Sequence, residues 1–224
     1  MSIAKNLNQI KSQLPPHVTL VAVSKTKPIS DLMEAYNAGQ RIFGENKIQE
    51  MTDKWEQMPK DIEWHMIGHV QTNKVKFMAE YVSLIHGVDT LKLLQEINKQ
   101  AKKHNRVIDC LLQIHIAEEE TKFGLDEEEL NQVLKQVQNQ KSEFENIRIV
   151  GLMGMATFTE NQNQIEKEFS HLKTIFDKVA ASKDPINRVS ILSMGMSGDY
   201  QLAISCGSTM VRIGSSIFGT RNYQ

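Results

Sequence analysis

Hydrophobic and polar positions along the chain form two kinds of pattern that alternate. Short apolar runs rich in β-branched residues predict strands, and apolar residues at three- and four-residue steps predict amphipathic helices. A further helix is predicted at the N-terminus, over residues 2–13. Five helices are predicted between strands, around Met33, Met51, Leu94, Val133 and Leu172. The eight predicted strands cover residues 18–25, 41–45, 63–68, 83–88, 107–116, 148–155, 188–194 and 210–213.

This alternation predicts an α/β fold. The strands are continuous apolar runs rather than strict alternations, which indicates burial on both faces of a parallel sheet. Eight such units predict a single (β/α)8 TIM barrel with an extra N-terminal helix, occupying residues 1–224 as one domain. The alternative is an open doubly wound sheet, which would need a glycine-rich phosphate loop after the first strand. Residues 24–28 contain no glycine.

Composition and charge restrict the possible partners. The 224 residues carry 26 Lys and Arg against 27 Asp and Glu, a formal net charge of −1. We therefore expect no nucleic-acid partner and no membrane partner, and any anion must be bound by a local arrangement of side chains.

The chain has no apolar run near the ~20 residues of a membrane span and no signal-peptide pattern at its start. Its two cysteines predict reduced thiols in a cytoplasmic protein.

Active sites of such barrels lie at the C-terminal ends of the strands. Lys25 ends the first strand, where it either marks the exit to solvent or serves as a Schiff-base lysine. Asn46 and His65 close the next two strands and could contact a ligand, although a strand histidine is more often a core residue. His65 and His69 lie four residues apart with no carboxylate grouped beside them, so a metal site is not favoured.

The last two units have the composition of a phosphate site. Residues 193–199 and 212–216 are rich in glycine and serine, and barrels often bind phosphate after strands seven and eight. Two tight turns with capping serines are the alternative, but Arg212 needs an acceptor that a ligand would supply. Strands one and eight are neighbours in a closed barrel, so one ligand could reach both Lys25 and this site. Pyridoxal 5′-phosphate, a flat ring carrying an aldehyde and a phosphate, has the required groups.

With these residues in place, the chain resembles the family of pyridoxal phosphate homeostasis proteins, single-domain relatives of the alanine racemase barrel. The resemblance implies that Lys25 holds the cofactor as an internal aldimine and that Arg212 faces the pyridine nitrogen. It also implies that Ser193, Gly214 and Ser215 hold the phosphate, with Asn46 and His65 lining the pocket. The matching motifs are VAVSKTKP at 21–28, FGEN at 43–46, WHMIGHVQTNK at 64–74, ETKFG at 120–124, GLMGM at 151–155, LSMGMSGD at 192–199 and VRIGSSIFG at 211–219.

Two positions depart from the family pattern. Position 215 is often Thr in the family, and Ser keeps the hydroxyl. Position 154 is more often a larger polar residue than Gly, which changes the pocket wall.

The resemblance also bears on whether the protein is an enzyme. An arginine at the ring nitrogen leaves that nitrogen unprotonated and makes carbanion chemistry less favourable. Alanine racemases add a second base, a tyrosine from a C-terminal domain of the partner subunit. Because the chain ends at Gln224, nine residues after Ser215, we expect that domain to be absent and the protein to be a monomer. None of the tyrosines, Tyr36, Tyr81, Tyr200 and Tyr223, has an obvious claim to the role.

The expected function is therefore to buffer pyridoxal 5′-phosphate and to deliver it transiently to apoenzymes, with effects on amino-acid metabolism. A small amino-acid racemase is the alternative, and a barrel enzyme acting on an ordinary sugar phosphate is a more distant one. Four further lysines near strand ends are either acceptors for departing cofactor or solvated surface residues, namely Lys27, Lys47, Lys74 and Lys122.

Overall fold

The computed structural model describes residues 2–119, 123–181 and 189–220. Its strands are β1 (Thr19–Val23), β2 (Ile42–Glu45), β3 (Glu63–Met66), β4 (Leu84–Val88), β5 (Ile108–Gln113), β6 (Ile147–Met153), β7 (Ile191–Met196) and β8 (Met210–Ile213). Its α-helices are α1 (Ile3–Gln13), α2 (Ile29–Asn37), α3 (Ile48–Gln57), α4 (Leu91–Lys103), α5 (Glu127–Asn139), α6 (Gln162–Ala180), α7 (Tyr200–Ser205) and α8 (Ser215–Phe218). Short 3-10 helices cover Thr72–Phe77 and Lys141–Glu143.

The strands form a closed barrel in chain order, and each pairs in parallel with its neighbours. Closure is made by β8 against β1, where Leu20 pairs with Val211 and Val21 with Arg212. The predicted (β/α)8 TIM barrel is confirmed. Its extra N-terminal helix is α1, which buries Leu7 and Ile10 and donates from Asn6 Nδ2 to the carbonyl of Ile217 at 3.1 Å.

Alternate residues of each strand face opposite sides of the barrel wall. Leu20 and Ala22 belong to the large core between strands and helices, whereas Val21 belongs to a small cluster with Leu84, Leu111, Met153 and Met210. This small cluster fills the barrel interior, as in other barrels of this kind. Residues two and four positions further along the same faces therefore also point inward, towards the C-terminal ends of the strands.

Three connections contain helices that the sequence pattern does not predict. A 3-10 helix, Thr72–Phe77, follows β3, and short α-helices of six and four residues follow β7 and β8. Strand β7 runs to Met196, two residues beyond its predicted end. Its predicted start, Arg188, lies outside the described residues. No helix in the described ranges is long and apolar enough to span a membrane.

Candidate functional site

A cavity of about 570 Å³ opens at the C-terminal ends of the strands. This volume is within the range of ~300–1,000 Å³ that small-molecule sites occupy. Five of the seven predicted site residues line it: Lys25, Asn46, Arg212, Gly214 and Ser215. The wall also includes side chains that the sequence analysis did not select, among them His69, Gln113, Phe123, Phe158, Gln162 and Ser197.

The two remaining predicted residues, His65 and Ser193, lie inside the barrel and do not border the cavity. His65 is on β3 and Ser193 is on β7, and both are buried. Ser193 Oγ lies 2.7 Å from an Arg212 nitrogen and 3.1 Å from Nδ1 of His86. The structure thus places Ser193 and His65 in a buried layer behind residues of the cavity wall.

Arg212 is a buried cation at this site, only 4% exposed. It donates to the carbonyl and hydroxyl oxygens of Ser193 at 2.9 and 2.7 Å and to the carbonyl of Gly154 at 3.2 Å. Burial lowers the pKa of Arg212 to about 10, although the carboxylate of Asp199 opposes the shift. The guanidinium therefore stays charged at neutral pH, and its orientation is fixed by neutral oxygens.

A chain of hydrogen bonds runs from Arg212 through Ser193 and His86 to His65. His86 Nε2 lies 3.1 Å from Nδ1 of His65, and burial lowers the pKa of His65 to about 3. Burial also lowers the pKa of His86 well below its usual value, with His65 and Arg212 adding to the shift. Both imidazoles are therefore neutral. Since Arg212 donates to Ser193, a consistent proton order has Ser193 donating to His86 and His86 donating to His65.

Ser197 is a cavity residue that the prediction placed within a loop but did not assign. It follows β7 directly, and its Oγ accepts a hydrogen bond from the backbone N–H of Gly214 at 3.2 Å. Asp199 closes the same turn by accepting from the N–H of Met196 at 2.5 Å. These contacts bring the turn after β7 beside the start of α8. A strand end at Met196 rather than Met194 is the signal that would have selected Ser197 over Ser193.

Aromatic side chains form part of the cavity mouth. Phe158 is 93% exposed and Phe123 is 52% exposed. The ring of Phe123 stacks on His69, with centroids 3.9 Å apart, and His69 Nδ1 lies 3.2 Å from a carboxylate oxygen of Asp89. The mouth therefore combines two exposed apolar rings with an oriented imidazole.

The further lysines differ in position. Lys27 lines the cavity and donates to the carbonyls of Phe218 and Thr220 at 2.9 and 3.0 Å. Lys47 is exposed at the N-cap of α3, and Lys74 lies over the ring of Phe77 outside the cavity. Lys122 lies outside the described residues.

The tyrosines of the described residues are engaged elsewhere. Tyr36 bonds Asp61, Tyr81 lies 2.9 Å from the hydroxyl of Thr52, and Tyr200 bonds Gln13; none of the three borders the cavity. Tyr223 lies outside the described residues.

Comparisons of sequence and of structure with known proteins point to the same family. Residues 1–222 match the family model of the alanine racemase N-terminal domain. The pyridoxal phosphate homeostasis protein of Pasteurella multocida is 36% identical over 236 aligned residues, covering 100% of this chain and 99% of that protein. PipY of Synechococcus elongatus, solved with pyridoxal phosphate bound, superposes with a TM-score of 0.88 at 34% identity, covering 97% of this chain and all of PipY.

Longer proteins share the fold alone. Alanine racemase of Clostridium difficile superposes with a TM-score of 0.78 at 16% identity. The match covers 100% of this chain but 57% of the racemase.

Proposed function

Because this chain belongs to the family of pyridoxal phosphate homeostasis proteins, within the alanine racemase N-terminal domain family, we propose that it binds pyridoxal 5′-phosphate in the cavity at the C-terminal ends of its strands and acts in the homeostasis of that cofactor. The observation that carries this proposal is that Lys25, Arg212 and Ser215 line one cavity on the adjacent strands β1 and β8.

The charges of the cavity wall fit the cofactor. Among the described residues, Lys25, Lys27 and Arg212 line the wall together with one carboxylate, that of Asp199. This local excess of cations suits a phosphate although the whole chain has a net charge of −1. Arg212 also suits the pyridine nitrogen of the cofactor. An unprotonated pyridine nitrogen accepts a hydrogen bond, and a guanidinium can only donate one.

Each wall residue then has a role that follows from its position. Lys25 would hold the cofactor by its aldehyde, an electrophile to which a primary amine can bind reversibly with loss of water. The hydroxyls of Ser197 and Ser215 and the backbone beside Gly214 hold the phosphate. Asn46 also lines the wall. The phosphate role predicted for Ser193 passes to Ser197, since Ser193 is buried behind Arg212 and orients it.

When bound, the cofactor supplies an aldehyde that exchanges between primary amines. Covalent attachment to Lys25 would therefore be reversible, as a protein that stores and releases the cofactor requires. We propose that the chain works in the cytoplasm as a monomer and passes the cofactor to apoenzymes by brief contact. An apoenzyme that regains activity no faster from the loaded protein than from an equal amount of free cofactor would contradict delivery.

The lysine assignment is tested by absorbance. Titrating the purified protein with pyridoxal 5′-phosphate should produce the near-ultraviolet to visible band of a Schiff base. The band should be lost in Lys25→Ala and kept in Lys47→Ala, which removes an exposed lysine outside the cavity. A band that persists unchanged in Lys25→Ala would refute the assignment.

A weak racemase is the second candidate, and His69 is the observation that favours it. His69 borders the same cavity as Lys25 and is oriented by Asp89, so its imidazole could accept a proton there. The loaded protein would be incubated with single enantiomers of amino acids in deuterated water. Exchange of the α-proton that is lost in His69→Asn would support a racemase, and no exchange across a broad panel would exclude it.

A further inference from the structure

A buried ionic cluster lies directly behind Lys25. We call the side chains of Glu45, Glu50 and Lys54, together with Ser24, the Lys54 cluster. Lys54 Nζ donates to the carbonyl of Ser24 at 2.8 Å, to Oε1 of Glu45 at 2.7 Å and to Oε1 of Glu50 at 2.7 Å. An ammonium has three N–H donors. All three N–H groups of Lys54 therefore have acceptors inside the cluster, as the burial of this side chain, only 5% exposed, requires.

The cluster holds the backbone on both sides of Lys25. On one side, Lys54 bonds the carbonyl of Ser24, and the Ser24 hydroxyl donates to Oε1 of Glu45 at 2.5 Å. On the other side, the N–H of Thr26 donates to Oε1 of Glu50 at 2.6 Å. The residue between these two anchors is Lys25, whose side chain enters the cavity wall.

This short segment is strained. Thr26 has a φ of +65°, a conformation that is unfavourable for a β-branched residue. Such backbone persists only where its surroundings impose it, and it concentrates at functional sites. Thr26 is the third residue of a turn that the Lys27 N–H closes by donating to the Ser24 carbonyl at 3.1 Å, and the Thr26 N–H itself is held by Glu50.

The cluster is a costly way to attach α3 to the barrel. Glu45 is fully buried, and nothing in the described residues donates to its Oε2. Burial raises the pKa of Glu45 above its usual value even though Lys54 opposes the shift. Buried ion pairs can often be replaced by apolar residues with no loss of stability. None of the cluster residues borders the cavity, so ligand contact does not explain them either.

We propose that the Lys54 cluster positions Lys25, holding the backbone of residues 24–26 so that the Lys25 amine meets the aldehyde of the bound cofactor. Glu45, Glu50 and Lys54 are positioning residues, because they act through the backbone of Lys25. This inference rests on the proposed function and adds to it the parts of the fold that orient its reactive amine.

Two ligands separate positioning from general stability. Pyridoxal 5′-phosphate binds through its ring, its phosphate and its aldehyde, whereas 4-deoxypyridoxine 5′-phosphate has a methyl group in place of the aldehyde. In Lys54→Met, the Kd of pyridoxal 5′-phosphate should rise about 10-fold or more, because small misplacement of a reacting group is costly. The Kd of the deoxy analogue should stay within about 2-fold of wild type, since its contacts do not involve the Lys25 amine.

Arg106 provides the matched control. Like Lys54, it is a cation that holds backbone: it donates to the carbonyls of Ala79 and Val82, both at 2.7 Å. It precedes β5 and therefore lies at the end of the barrel opposite to the cavity. Arg106→Met should lower thermal stability without changing the ratio of the two Kd values. Glu45→Gln keeps an oxygen that can accept from Ser24 and Lys54, so its ratio should be close to wild type.

The outcomes are distinct. An equal loss of both ligands in Lys54→Met would assign the cluster a structural role only, and unchanged binding of both would also overturn the proposal. If Lys54→Met does not fold, Glu50→Ala replaces it, because the Glu50 side chain is 24% exposed and its removal frees the Thr26 N–H while Lys54 keeps its bonds to Ser24 and Glu45. A wild-type protein that never forms the Schiff base would instead refute the proposed function.

Discussion

We expect acid to destabilise the barrel through its two buried histidines, His65 and His86. Burial lowers the pKa of His65 from 6.5 to about 3, and the pKa of His86 also lies well below its usual value. In the unfolded chain both imidazoles are exposed to water. As the pH falls below 6.5, the unfolded chain therefore gains protons that the folded chain does not, and the free energy of unfolding decreases. Below about pH 3 the folded His65 is protonated as well, and its contribution stops changing.

The size of the effect follows from the pKa difference. Each pH unit between the unfolded and folded pKa values costs about 1.4 kcal/mol for one group. Between the unfolded value and about pH 5, His65 should therefore reduce the free energy of unfolding by roughly 2 kcal/mol. The pKa of His86 shifts in the same direction, so its protonation in the unfolded chain adds to this loss. The His65 contribution alone is a substantial part of the ~5–15 kcal/mol by which domains are usually stable.

Urea unfolding at about pH 7 and about pH 5 measures this loss directly. His65→Asn removes one titrating group and keeps a polar atom near the position of Nδ1, so the loss on acidification should shrink by roughly 2 kcal/mol. His17→Asn, which changes an exposed histidine, should leave the loss unchanged. An equal loss in wild type and His65→Asn would refute the account of a neutral, buried imidazole pair.

Further predictions concern the cavity and the N-terminal helix. Ser197→Ala should weaken binding of 4-deoxypyridoxine 5′-phosphate about fivefold, measured by calorimetry, because it removes a hydrogen bond worth ~1 kcal/mol; unchanged affinity would contradict the phosphate role. Gly68→Ala should cost about 1–3 kcal/mol in urea unfolding, since its Cβ would lie 2.6 Å from the carbonyl oxygen of Asn46. Gly198→Ala is the control, as its Cβ would meet nothing within 4 Å. Leu7→Ala should cost about 2–5 kcal/mol if α1 is part of the folded unit, and a small loss would mean that it is peripheral.

The barrel was predictable because each element has a local signal. The apolar runs from Thr19–Val23 to Met210–Ile213 and the helical periodicities between them fix both element type and order. Closure then follows from the number of units. The same rule brought Lys25 and Arg212 to one cavity, because residues at strand ends meet at one face of the barrel.

The details that failed depend on local backbone geometry and on distant contacts. Gly195, with a φ of +97°, interrupts the apolar pattern of β7, so the sequence predicts a strand that stops at Met194 and has Ser193 near its end. The sequence analysis does not select His86, although it lies two residues after Leu84 and therefore on the same inward face of β4. The sequence contains no sign that His86 contacts Ser193, 107 residues away, and such pairings appear only in the folded barrel.

The central claim is that Lys25 is the amine that holds the cofactor. Incubating the protein with pyridoxal 5′-phosphate, reducing it with borohydride and mapping the peptides by mass spectrometry locates any covalent attachment. We predict one equivalent of the reduced pyridoxyl group, found on Lys25 and absent from that peptide in Lys25→Ala. A label found instead on Lys27, or spread over exposed lysines such as Lys47 and Lys74, would contradict the claim.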